Sequence, residues 1–133
     1  MQKTVKRQGP IQLKEAIIRG IADKKGKNII CLNMSKVSGT ICDYFVICEG
    51  DSSIQVDTIA RSVEEEVQKT TGEQVFHSEG YGNSEWVLLD YVDIVVHVFQ
   101  PHVRGFYNLE ALWADAESEE IILEQAYKHA QTK

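Results

Sequence analysis

The chain has 133 residues, 43% hydrophobic and 26% charged, with a formal net charge of −6. That length suits one domain with a core of ordinary proportions, and the composition is that of a globular chain rather than a disordered or fibrous one. The longest apolar runs are strand-sized, too short to span a bilayer. The acidic balance argues against broad contact with a phosphate backbone and permits a basic protein partner, for which acidic complementarity speeds and orients docking.

Residues 1–10 (MQKTVKRQGP) are basic with no apolar segment behind them, so they read as a flexible N-terminus without a secretory signal. From Ile11 to Lys25, Leu13, Ala16, Ile17 and Ile21 recur at helical spacing, and Gly26 suits a C-cap. Asn28 to Asn33 reads as a buried strand, 35–40 as a turn around Ser38 and Gly39, and Cys42 to Glu49 as a second strand centred on Tyr44, Phe45, Val46 and Ile47. Gly50 ends it. Asp51 or Ser52 then caps a helix, with Ser52 and Gln55 at capping-box spacing. That helix is expected to run to about Thr71 before Gly72 stops it, with Ile59, Ala60, Val63 and Val67 inward and Glu64, Glu65 and Lys69 in water.

Residues 73–85 hold Gly80, Gly82 and Asn83 and read as a loop with a short strand at Gln74 to His77. Trp86 to Asp90 and Ile94 to Phe99 form an antiparallel hairpin. Asn108 can cap a short helix through Trp113, and Glu117 to Lys128 reads as a polar helix inside a helical extension over 115–133. Interleaved helices and strands predict a single α/β (α+β) domain over 1–133, with a mixed sheet of about five strands and helices packed on it.

Cys31, Cys42 and Cys48 are an odd set without CxxC spacing, which fits reduced buried thiols in a reducing cytoplasm. His77, His97, His102 and His129 are too scattered to supply a zinc site. Gly50-Asp51-Ser52-Ser53 sits between strand and helix, where phosphate-binding loops occur, but lacks the P-loop lysine and GxGxxG spacing, and capping accounts for it. A nucleotidyltransferase-type site needs paired carboxylates around a metal, whereas Asp90 and Asp93 flank a turn. Ser52 or Ser53 has no GxSxG elbow, and Cys48 with His97 falls inside or at the edge of the sheet. No catalytic, cofactor or metal residue is assigned.

The hairpin is different. Alternation puts Trp86, Leu88 and Asp90 on one side and Val87, Leu89 and Tyr91 on the other. Its partner strand sets Ile94, Val96 and Val98 against Val95, His97 and Phe99. Neither side is polar, so either both faces are covered or one is a docking surface with aromatic anchors. Periodicity alone favours the covered reading. At the turn, β-branched Val92 resists positive φ, which points to a four-residue loop around a type I turn with Asp90 as its first residue. Asp90, Tyr91 and Asp93 would then form an acidic, aromatic tip.

The segments CDYFVICEGDSS with the helix after it, Glu79-Gly80, WVLLDYVDIVVHVF and R..YNLEALW from Arg104 cover most of Asp43 to Trp113. In order and spacing they resemble the ribosomal silencing factor family, also called Iojap-like. The resemblance implies a mixed α/β fold related in shape to nucleotidyltransferases, without catalysis. It implies a protein that binds large-subunit ribosomal protein fourteen at the intersubunit surface, keeps the small subunit from joining and represses translation. Bacterial members are cytoplasmic, with relatives in mitochondria and chloroplasts, and a chain without a transit-like presequence fits the bacterial type. Val92 stands where the family usually has glycine, and Glu49 where it often has threonine; a carboxylate beside Asp51 disfavours an anionic ligand.

On that reading Trp86 and Leu88 anchor the partner, Tyr91 extends the apolar contact, and Asp90 and Asp93 meet its lysines and arginines. His97 lines the same region or is a satisfied core histidine. Arg104, Tyr107 and Glu110 fix the last helix to the sheet. No nucleic-acid specificity, membrane contact or cofactor is expected. The competing readings are a nucleotidyltransferase-like nucleotide-binding enzyme, and a homodimer formed through the sheet face or its strand edges.

Overall fold

The computed structural model describes residues 9–35, 37, 42–107 and 117–121. Helix α1 spans Gly9–Asp23, so it starts inside the segment read as a flexible terminus. Leu13, Ala16, Ile17 and Ile21 are all buried along its inner face. Its end is a Schellman motif: Gly26 N–H donates to Ile21 O (3.0 Å) and Lys25 N–H to Ala22 O (3.0 Å). The left-handed residue is Lys25 (φ 63°), not the expected Gly26. Gly26 is needed one place later, where a Cβ would lie 2.4 Å from Ile21 Cγ2.

Strand β1 (Lys27–Asn33) pairs antiparallel with β2 (Tyr44–Glu49), with one extra residue on β1 between Lys27 and Ile30. Asn28, at φ 52°, sits in this bulge. Helix α2 (Ser53–Thr71) follows the capping signals: Ser52 accepts from Gln55 N–H at 3.1 Å, and Gly72 closes the helix at φ 78°. Val56, Ile59, Ala60, Val63 and Val67 are buried on its inner stripe. Glu64, expected in water, is half-buried because Tyr81 folds over it and donates its hydroxyl at 2.5 Å.

Next come β3 (His77–Glu79), β4 (Trp86–Asp90), β5 (Ile94–Phe99), α3 (Pro101–Tyr107) and β6 (Glu117–Ile121). β3 starts three residues beyond the expected strand start, at His77 rather than Gln74, and the hairpin β4–β5 has the expected bounds. The helix expected over 108–113 lies outside the described residues, but α3 places a helix just before it, starting at Pro101.

Among the described residues the sheet has six strands in the order β3-β4-β5-β2-β1-β6, of which only β5 with β2 is a parallel pair. The sixth strand corrects the polar helix expected from Glu117: residues 117–121 pair antiparallel with β1, Ile29 opposite Ile121 and Asn33 opposite Glu117. Glutamate-rich sequence favours helix locally, but an unpaired β1 edge offers a row of backbone donors and acceptors that outweighs this propensity. Residues 122–133 lie outside the described residues.

Both α1 and α2 pack on one face of the sheet, and their backbones nearly touch. A Cβ on Gly20 would lie 2.7 Å from Val63 Cα, and Ser62 Oγ donates to Gly20 O at 2.8 Å. Between helices and sheet lies the main core, with Ile29, Cys31, Val46, Cys48, Val87, Leu89, Val96 and Val98 contributed by the strands. A second, smaller core on the opposite face joins Leu32, Met34, Cys42, Ile47 and Phe99 to Val103 of α3.

Candidate functional site

Strand parity sends Trp86, Leu88 and Asp90 of β4, with Val95, His97 and Phe99 of β5, to the face opposite α1 and α2. In register, Trp86 stands across from Phe99 and Leu88 from His97, while Phe45 and Ile47 of β2 flank Val95 and His97. The residues at the second core are covered, but Phe45, Trp86, Leu88 and Val95 are only half-buried. They form an apolar band beside that core.

The band is aromatic at its centre. The Trp86 and Phe99 ring centroids are 4.7 Å apart, those of Phe45 and His97 4.9 Å, and those of Trp86 and His97 5.9 Å. Trp86 Nε1–H donates to His97 Nδ1 at 3.1 Å. His97 is 5% exposed, and burial pushes its pKa down to about 4, so the ring is neutral at pH 7. Because Nδ1 accepts, the hydrogen is on Nε2, and among the described residues that buried atom has no hydrogen-bond partner. His97 therefore underlies the band rather than lining its surface, and it is a core histidine with only one nitrogen satisfied.

At the hairpin tip the expected type I turn is replaced. Val92 has φ 75°, and Asp93 N–H donates to Tyr91 O at 2.9 Å, the hydrogen bond and dihedral of a positive-φ γ-turn. Asp90 does act as the expected hydrogen-bonding residue, its carboxylate accepting Val92 N–H at 2.8 Å. The turn is pinned from below, where Asp93 O accepts from Asp43 N–H (2.6 Å) and Tyr44 N–H (3.2 Å). Those bonds tie it to the start of β2 and hold Val92 in a conformation that its branched side chain resists.

Tyr91 corrects the expected aromatic tip. It is 4% exposed and packs in the main core, on the helix side, because it continues the parity of Val87 and Leu89. Its burial also raises the hydroxyl pKa. The structure thus brings together Trp86, Leu88 and His97, leaves half-buried Asp90 and Asp93 at one end of the band, and separates Tyr91 from them. The exposed apolar residue at the tip is Val92.

The Gly50 loop is occupied by capping. Asp51 pairs with Lys27 at 2.8 Å, and Gln55 accepts Asp51 N–H at 2.7 Å while its amide reaches Lys24 O and Lys25 O at 3.3 Å. Glu49 turns to Arg104, 3.2 Å away, and accepts from Asn28 Nδ2 at 3.0 Å; Arg104 also donates to the bulged Asn28 O at 2.7 Å. Arg104 thus fixes α3 to the sheet as expected, whereas the Tyr107 side chain and Glu110 lie outside the described residues. The Glu49–Arg104 pair joins residues too distant in sequence for any local pattern to reveal.

The three cysteines are buried, and burial pushes the Cys48 thiol up to about 12. Among the described residues no three or more His, Cys, Asp or Glu side chains are placed to hold a metal ion, and no helix is long and apolar enough to cross a membrane.

The family model described as ribosomal silencing factor during starvation (RsfS) matches residues 7–133, so the match takes in the segment beyond Asp115. A relative named ribosomal silencing factor RsfS from Halalkalibacterium halodurans is 40% identical over 110 residues, covering 83% of this chain and 92% of its own. Its namesake from Bacillus subtilis is 45% identical over 94 residues, covering 71% and 78%. A crystal structure from Chromobacterium violaceum superposes with a TM-score of 0.73 at 37% identity, covering 84% of this chain and 92% of that one. A second, from Bacillus halodurans, gives 0.71 at 37% identity, covering 84% and 100%. By sequence and by fold, the chain belongs to the ribosomal silencing factor family.

Proposed function

We propose that the chain represses translation by docking the Trp86–Leu88 band onto large-subunit ribosomal protein fourteen, where its bulk keeps the small subunit from joining. The observation that carries this reading is the half-buried aromatic band on the face that α1 and α2 leave uncovered, with Asp90 and Asp93 at its end. An interface needs a desolvated aromatic centre and a charged rim, and this face offers both in the arrangement a basic partner would require. The protein acts in the cytoplasm as a binding factor and not as an enzyme. Support for that comes from the Gly50 loop, whose polar groups are taken up by capping and by Lys27.

Trp86→Ala is expected to weaken binding to the isolated ribosomal protein by about 2 kcal/mol or more, with the far-ultraviolet circular dichroism retained. Wild-type affinity in that variant, read by calorimetry, removes Trp86 from the site. Charge reversal at Asp90 is a poorer probe, because the same carboxylate holds Val92 N–H in the turn.

A further inference from the structure

We propose that His97 is a positioning residue for this face, its Nδ1 holding the Trp86 indole in the single orientation that the partner meets. The inference rests on the docking reading above. Trp86 leans over two cross-strand neighbours, Phe99 at an interplanar angle of 32° and His97 at 40°. Stacking of this kind tolerates rotation of the indole about its side-chain bonds, whereas a hydrogen bond from Nε1 to His97 Nδ1 at 3.1 Å selects one rotamer. A half-buried anchor already ordered in the free protein loses less freedom on binding, which is how preorganisation raises affinity.

Packing alone does not account for a histidine here. Its neighbours in the same row of the sheet are Leu88 and Ile47, and an apolar side chain would continue that row. His97 instead buries an Nε2–H with no acceptor among the described residues, an arrangement that costs stability. The retained nitrogen is the one facing Trp86. Burial also keeps the ring neutral, so Nδ1 stays available as an acceptor.

The test titrates full-length variants onto purified large ribosomal subunits and follows the Trp86 indole N–H resonance in ¹⁵N-labelled protein. His97→Leu removes the acceptor, and His97→Asn keeps an oxygen near the place of Nδ1. We expect His97→Leu to lose about tenfold in affinity, converted from roughly 1.4 kcal/mol, and its indole resonance to move upfield. His97→Asn is expected to recover most of that loss. In a Trp86→Phe background, which keeps a ring but no donor, His97→Leu is expected to add nothing.

Wild-type affinity in folded His97→Leu overturns the proposal, as does an equal loss in the Trp86→Phe background. Should His97→Leu fail to fold, Trp86→Phe alone decides: a severalfold loss supports the hydrogen bond's role, and unchanged affinity refutes it. If the wild-type protein does not bind large subunits, the docking reading itself fails and this proposal with it. A wild type that binds, alongside variants that bind equally well, sinks only the role of His97.

Discussion

Val92 sits at φ 75° with its side chain 49% exposed, so it bears the cost of a left-handed backbone and recovers little by burial. Glycine there would relieve the strain, against a smaller loss from the greater freedom of its unfolded chain. Val92→Gly is therefore expected to stabilise the fold by about 1 kcal/mol; a lowered thermal midpoint would contradict the strained turn. His97 carries a second residue-scale consequence. Its folded pKa of about 4 lies below the ordinary histidine value of 6.5, so the unfolded chain binds a proton that the folded one refuses. Stability should fall as pH drops through that window, by on the order of 3 kcal/mol, and level off below it. Urea midpoints for wild type and His97→Asn between pH 7 and pH 4 check this, with the gap expected to shift in favour of the variant and a constant gap refuting it. Neither feature was legible in the sequence. A valine signals resistance to positive φ, and the bonds from Asp43 and Tyr44 that enforce it come from another strand.

At the scale of elements, the local signals read well where both ends of an element were marked. α2 has Ser52 and Gly72 at its ends, and the hairpin strands alternate cleanly between them. Reading failed where a distant partner decided, as when the open edge of β1 turned a glutamate-rich segment into β6. Helix packing gives a test in which one substitution acts in opposite directions. Gly20→Ala would gain helix propensity but drive a Cβ to 2.7 Å from the Val63 backbone, so the helices must separate. Among the described residues, nothing lies within 4 Å of where a Cβ on Gly105, in α3, would be. We expect Gly20→Ala to lose about 2 kcal/mol and Gly105→Ala to gain about 1 kcal/mol in urea denaturation. Equal effects would contradict the close contact of α1 with α2.

For the whole molecule, the sequence showed two apolar sides to the hairpin but not which one the helices would take, because that depends on the crossing of α1 and α2 over the parallel pair β2 and β5. Once they cover one side, the other divides into a small closed core under α3 and the half-buried band around Trp86. Parity then explains why Tyr91 leaves the acidic tip while Asp90 remains. A net charge of −6 suits approach to a basic protein surface and weakens any account built on rRNA phosphates. The most direct measurement is a subunit-joining assay on sucrose gradients, with purified large subunits incubated with the protein before small subunits are added. The account predicts that wild-type protein co-sediments with the large subunit and depletes the joined peak, and that Trp86→Ala does neither at the same concentration. Undiminished joining with wild-type protein bound, or no binding to the large subunit, would contradict it.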